Sequence, residues 1–228
     1  MLYQKNDPST RNSPGDSMNP VIKGGNTAGM LRIALKTGEG LYGLSDMIMA
    51  HSGGLAFSNR QDGGFLSKLA RKFSGGNFEY QEIKAVSDDQ WLMLAPSLSG
   101  AITSIDLHHP GSIIADEQAF IAATSTTLIG RKIKTLDNIG SEEIETIQFS
   151  GNGTIFLNSC GAVEAIVLLP EQEIFIATAH LIAWEENIAY QKTPNGMTKM
   201  TGPGRIWLQT RTLHSIVQAR NTLLSGKK

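Results

Sequence analysis

Two kinds of apolar segment alternate three times along this chain, so any fold it adopts must use each kind three times. The first kind reads LYGLSDMIMA (residues 41–50), IIADEQAFIA (113–122) and IFIATAHLIA (174–183). Each copy has a few apolar residues, a short polar break, and then an apolar run ending in alanine. The second kind reads DDQWLMLAPSLSGAITSI (88–105), GNGTIFLNSCGAVEAIVL (151–168) and GPGRIWLQTRTLHSIVQ (202–218). Here a small or charged turn precedes large apolar residues, a polar break and a second apolar run. Short apolar runs bounded by Gly, Pro, Asn or Asp read as β-strands, and many of them in close succession read as a sandwich or barrel. With 24 glycines in 228 residues, concentrated at these breaks, the chain favours turns over long helices.

A strand–corner–strand unit folds over once and leaves a face in need of cover. Three such units in tandem can cover one another and close around a pseudo-threefold axis, which also removes bare sheet edges. The polar corners Ser45-Asp46, Asp116-Glu117-Gln118 and Thr178-Ala179 are then expected at one level. The predicted fold class is all-β: a triplicated β-sandwich of the short double-stranded β-helix type, with pseudo-threefold repeats over about 30–107, 108–170 and 171–211. Residues 1–29, rich in Asn, Ser, Pro and Gly, read as a flexible tail ahead of a single domain, 30–228. Two stretches carry helical spacing instead. FLSKLARKF (65–73) is a short amphipathic insert, and TLHSIVQARNTLL (212–224) is a C-terminal helix.

TGPGRIWLQTR (201–211), TAHLIAWEENIAY (178–190), GNGTIFLNSCGAVEAIVL (151–168) and GGFLSKLARKFSGGNFEY (63–80) resemble the altered inheritance of mitochondria protein 24 family. The resemblance spans roughly 30–212 and is weakest around 133–147. It implies a compact β-sandwich built by triplication, with a fold like that of the tryptophan RNA-binding attenuator protein. It also implies a link to mitochondrial inner-membrane organisation in fungi. The family has no established catalytic residues to carry over.

The residues themselves offer few chemical sites. His180, Glu185 and Glu186 lie close in sequence, but strand geometry sends His180 and Glu185 to opposite faces, which argues against a shared metal. His108-His109 precede Pro110-Gly111 and read as loop imidazoles with no third ligand. Gly151-Asn152-Gly153 and Gly202-Pro203-Gly204 open into strands rather than helices. They read as equivalent hairpin turns, not phosphate loops. The single cysteine, Cys160, excludes an intrachain disulfide and reads as a buried thiol. No metal or cofactor is expected.

Two interaction surfaces remain. Arg205, Trp207 and Arg211 lie along one strand, with Arg205, Trp207 and Gln209 sharing a face. That face reads as a packing surface between repeats or subunits, or as an RNA-stacking surface. In 65–73, Phe65, Leu69 and Phe73 align on one helical face beside Leu66, with Lys68, Arg71 and Lys72 around them, a basic amphipathic turn suited to an anionic membrane or a partner groove. The function expected is therefore a non-enzymatic scaffold, homo-oligomeric or part of a larger assembly, with peripheral membrane contact. The alternative is an RNA- or small-ligand-binding module, which a net charge of −1 disfavours. No signal peptide or membrane-spanning run is visible, which points to an intracellular, soluble protein, cytoplasmic in a prokaryote or mitochondrial in a eukaryote.

Overall fold

In the computed structural model, the described residues are 18–59, 80–108, 111–137, 143–195 and 197–225. The helical insert expected at 65–73 lies outside them. Strand β1 (Asn19–Lys23) precedes three runs of six strands. The first run is β2 (Met30–Leu35), β3 (Gly40–Gly43), β4 (Ile48–His51), β5 (Leu55–Asn59), β6 (Gln81–Ala85) and β7 (Gln90–Leu94). The second is β8 (Ile102–Asp106), β9 (Ser112–Asp116), β10 (Phe120–Thr124), β11 (Thr127–Asp137), β12 (Glu143–Gly151) and β13 (Thr154–Asn158). The third is β14 (Val163–Leu168), β15 (Glu173–Ala177), β16 (Leu181–Glu185), β17 (Ala189–Lys192), β18 (Met197–Thr201) and β19 (Gly204–Gln209). Helix α1 (Leu213–Ser225) follows, as the spacing predicts.

The strands form four antiparallel sheets: β1-β2-β7-β4 (sheet 1), β5-β6-β3-β10-β13-β8 (sheet 2), β11-β12-β9-β16-β19-β14 (sheet 3) and β15-β18-β17 (sheet 4). Within each run the pairing is the same. The first strand pairs the sixth, the third pairs the sixth, and the second and fourth pair the fifth. Each run is thus a small two-layer unit, and the units interlock because β3 pairs β10 and β9 pairs β16.

The three polar corners are three-residue 3-10 turns, Ser45–Met47, Glu117–Ala119 and Thr178–His180, each carrying the chain from one sheet to the next. Three residues beyond each turn the pairing register jumps, at Ile48/Ala50, Phe120/Ala122 and Leu181/Ala183. Such a bulge sets two successive side chains on one face. Ile121 and Ala122 accordingly both pack between sheets 1 and 2, and Ile182 and Ala183 both pack between sheets 2 and 3.

Three cores hold the sheets together, one between each adjacent pair. The central strands of sheets 2 and 3 are therefore buried on both faces, which explains why β9, β10, β13 and β16 read as unbroken apolar runs, whereas outer strands such as β6 and β8 keep an exposed face. In β13, Ile155 and Leu157 enter the core against sheet 3, while Phe156 enters the core against sheet 1. Sheets 1 and 4 show the alternation of one-sided sheets, as in β2 and β18.

Several expectations are corrected. The units do not close on themselves: β4 and β15, whose pairing would complete the set, end sheets 1 and 4 without pairing each other. The unit boundaries fall one strand earlier than expected, because β8 pairs β13 and β14 pairs β19 rather than the strands preceding them. The tail expected over 1–29 extends too far, since Asn19–Lys23 adds a fourth strand to sheet 1. The turns at 88–90, 151–153 and 202–204 are equivalent but are not hairpins; each passes between sheets. At the middle one, Gly151 has a φ of 101°. A Cβ on its neighbour Gly153 would lie 2.2 Å from Thr127 Oγ1, so backbone conformation and space both require glycine there.

Removing Phe156, which is almost fully enclosed between two sheets, is expected to lower unfolding free energy by about 3–5 kcal/mol in Phe156→Ala. Val167→Ala, at an exposed position on β14, should change it by no more than about 0.5 kcal/mol. Chemical denaturation of both variants checks this.

Candidate functional site: interaction surfaces

Strand β19 runs through the middle of sheet 3, between β16 and β14. Its inner residues therefore serve two cores: Ile206 faces sheet 4 and Trp207 faces sheet 2. Trp207 is only 5% exposed, so its ring packs between units and offers no open face for a base. The Arg205 guanidinium lies over that ring, 5.6 Å from its centroid. The Arg205 backbone N–H donates to Glu185 Oε2 at 3.0 Å. Arg211 is exposed beyond the strand's other end, and its backbone N–H donates to the Cys160 carbonyl at 3.0 Å. Arg205 lies near the start of β19 and Arg211 two residues past its end, so the two flank opposite ends of the strand. They do not form one basic site.

The end of β19 is tied down by polar contacts. Gln209 Nε2 donates to the Ala179 carbonyl at 3.0 Å, and Gln209 Oε1 accepts from the Cys160 N–H at 2.8 Å. His180 Nδ1 lies 2.6 Å from the Gln209 carbonyl. His180 therefore belongs to the 3-10 turn of the third unit, not to a strand, and serves to brace the corner. Glu185 is held by Arg205, whereas Glu186 contacts Ser112 and Gln148. The three residues thus point to separate partners. Among the described residues no group of His, Cys, Asp and Glu is arranged to hold a metal ion. His108 is exposed at the end of β8; His109 lies outside the described residues.

Asp116 departs far from ordinary carboxyl behaviour. Asp116 caps the middle corner, accepting from the Gln118 N–H at 3.0 Å. Loss of solvation pushes its pKa up to about 7, with the Gln118 bond opposing the rise and the charge of Glu117 adding to it. Burial also raises the pKa of the Cys160 thiol, with a further contribution from Asp116, so this cysteine is a poor nucleophile. Glu117 and Asp116 were visible in sequence only as a polar corner. Unlike Asp116, its counterparts Leu44 and Ala177 have no side-chain acceptor and cap nothing.

Exposed apolar residues are found on several elements, among them Val86, Leu128, Val167 and Leu169. Helix α1 is capped by reciprocal bonds, Ser215 N–H to Thr212 Oγ1 and Thr212 N–H to Ser215 Oγ, both 3.1 Å. Beyond this cap Val217, Leu223 (82% exposed) and Leu224 (74%) lie in the open. Met49 on β4 and Phe175 on β15 are exposed on the outer sheets at 54% and 57%. Residues 65, 66, 68, 69, 71, 72 and 73 of the proposed basic turn lie outside the described residues.

Comparison with known proteins agrees with this architecture. The profile of the mitochondrial biogenesis AIM24 family matches residues 21–211. The chain belongs to that family. The crystal structure of a Streptococcus pyogenes protein superposes with a TM-score of 0.74 at 21% identity, covering 90% of this chain and 99% of that one. At that identity the likeness shows the fold. No curated protein matches the chain. Family membership relates the chain to mitochondrial biogenesis, and among the described residues no helix is long and apolar enough to cross a membrane.

Asp116 supplies a pH test. Its folded pKa lies above the unfolded value, so the folded chain binds this proton more tightly. The resulting stabilisation is full below the ordinary aspartate value of 3.8 and is lost as pH rises through about 7. Asp116→Asn keeps a cap acceptor and removes the charge. It is expected to raise the melting temperature at pH above 7 and to flatten its decline between the two values, as thermal unfolding across pH will show.

Proposed function

We propose that this member of the AIM24 family is a non-enzymatic scaffold protein that self-associates and attaches, through residues 65–73, to a membrane surface or a larger complex. The observation that supports this most directly is the position of the uncovered apolar surface. The three cores leave α1 outside, with Val217, Leu223 and Leu224 in solvent. A thirteen-residue helix is marginal in water without a covering surface. Exposed large hydrophobics on both outer sheets add to it, at Met49 and Phe175. Surfaces of this kind favour association. The family's description, mitochondrial biogenesis, fits a building role.

The alternative reading, an RNA-stacking module, draws on Arg205, Trp207 and Arg211. It loses its main support once Trp207 packs between sheets 2 and 3, although Arg205 and Arg211 remain exposed.

Sedimentation velocity of the full chain over a range of concentrations should show species larger than the monomer, growing with concentration. A strict monomer throughout contradicts self-association. In a parallel flotation with anionic vesicles, wild type is expected to rise with the lipid more than Leu69→Glu. Equal behaviour of the two removes membrane attachment through 65–73.

A further inference from the structure

The two outer sheets each stop at a strand that has a partner everywhere else in the fold. In sheet 2, β3 of the first unit pairs β10 of the second, with Gly43 opposite Ala122, Tyr42 opposite Ala123 and Leu41 opposite Thr124. In sheet 3, β9 of the second unit pairs β16 of the third, with Ala115 opposite Ala183, Ile114 opposite Trp184 and Ile113 opposite Glu185. The two junctions share one register relative to their corners. The first partner of each pair lies two residues before a 3-10 turn, and its mate lies three residues after the next one. The third unit presents the corresponding strand, β15, at the edge of sheet 4. The first unit presents the corresponding receiving strand, β4, at the edge of sheet 1. Among the described residues, β15 pairs only β18 and β4 pairs only β7.

We propose that β15 of one copy pairs antiparallel with β4 of a second copy, in the register of the two internal junctions. Ile176 then lies opposite Ala50, Phe175 opposite His51, and Ile174 opposite Ser52. This rests on the scaffold reading above and names the surface through which the copies join. Three observations carry it beyond the presence of two free edges. First, the strand arithmetic fits: joining three-stranded sheet 4 to four-stranded sheet 1 reproduces the six-strand interior sheets, with β1 as the additional edge. Second, β4 already carries the bulge, Ile48/Ala50, that β10 and β16 use when they receive a partner. Third, the edges lack the usual protection against pairing. Neither β4 (IMAH) nor β15 (EIFIA) contains proline or lysine, a feature they share with edge strands β5, β8 and β14 but not with β1 and β17, which contain Pro20, Lys23 and Lys192.

The receiving edge is also braced for the role. Ser52, next in sequence after β4, donates from its hydroxyl to Gln90 Oε1 at 2.6 Å and accepts from the Trp91 N–H at 2.9 Å. Gln90 Oε1 also accepts from the Gly54 N–H at 2.9 Å. His51 packs against Phe57 with ring centres 4.9 Å apart, so an incoming Phe175 would meet an aromatic surface. Because one edge of each copy joins a different edge of the next, the contact is head-to-tail. It propagates until a ring closes or a filament grows.

The test joins two preparations of the full chain, both in a Cys160→Ser background, one carrying Phe175→Cys and the other His51→Cys. Directly opposed residues of an antiparallel pair have Cβ atoms about 4.5–5.5 Å apart, within reach of a disulfide. Under mild oxidation the mixture should give a mixed disulfide dimer in much greater yield than either preparation alone. Replacing His51→Cys by Met49→Cys, out of register, should lower that yield several-fold. Three results overturn the proposal: no mixed disulfide, equal yield with Met49→Cys, or an intrachain disulfide in monomer when both substitutions sit on one chain. If wild type still sediments above the monomer while the mixed disulfide fails, the assembly reading survives and only this interface is lost.

Discussion

Two short antiparallel junctions, β3 with β10 and β9 with β16, determine the rest of this molecule. Each unit alone is a pair of three-stranded sheets around a small core. Sheets of that size are marginal by themselves. The junctions merge neighbouring units edge to edge, so that halves of two small sandwiches become one six-stranded sheet. A sheet formed this way has both faces covered, by the rest of one unit on one side and the rest of the next on the other. The core between sheets 1 and 2 contains Ile121, Ala122 and Phe156 from the second unit as well as Leu31, Ile33 and Leu92 from the first. No unit can therefore be removed without opening the core of its neighbour.

The same geometry assigns most polar residues to structural work. The corners and their surroundings hold His180, Gln209, Asp116 and Glu185 in defined partnerships, within the turns themselves or between a turn or strand and the neighbouring strand of sheet 3. Among the described residues, the outer edges of sheets 1 and 4 and the apolar stripe of α1 are left uncovered. A protein whose interior repeats one junction and whose ends present its two halves is suited to joining copies of itself.

The sequence carried the corners clearly, because a short polar break within an apolar run has few other uses and each became a 3-10 turn. It also carried the core strands, since β10, β13, β16 and β19 are buried on both faces and read as apolar runs. The unit boundaries were hidden for a different reason. β8 and β14 pair with strands far ahead of them in the chain, and nothing local to ITSID or VEAIVL announces a partner. β1 was hidden by Pro20, which suits an edge strand but resembles a loop. The role of Trp207 was only half legible. Its alternation with Ile206 was plain, but a surface face and a second buried face produce the same spacing. Closure about a threefold axis was a fair expectation from three copies; whether the last unit returns to the first depends on the rotation between units, which no residue pattern specifies.

Hydrogen exchange at low and high protein concentration measures the open junction directly. Amides in β10, β13, β9 and β16 should be strongly protected at both, since their sheets are closed within one chain. Amides in β4 and β15 should exchange faster at low concentration and become protected together as concentration rises. Unchanged, rapid exchange in both strands under conditions where the protein sediments as an oligomer would contradict the account.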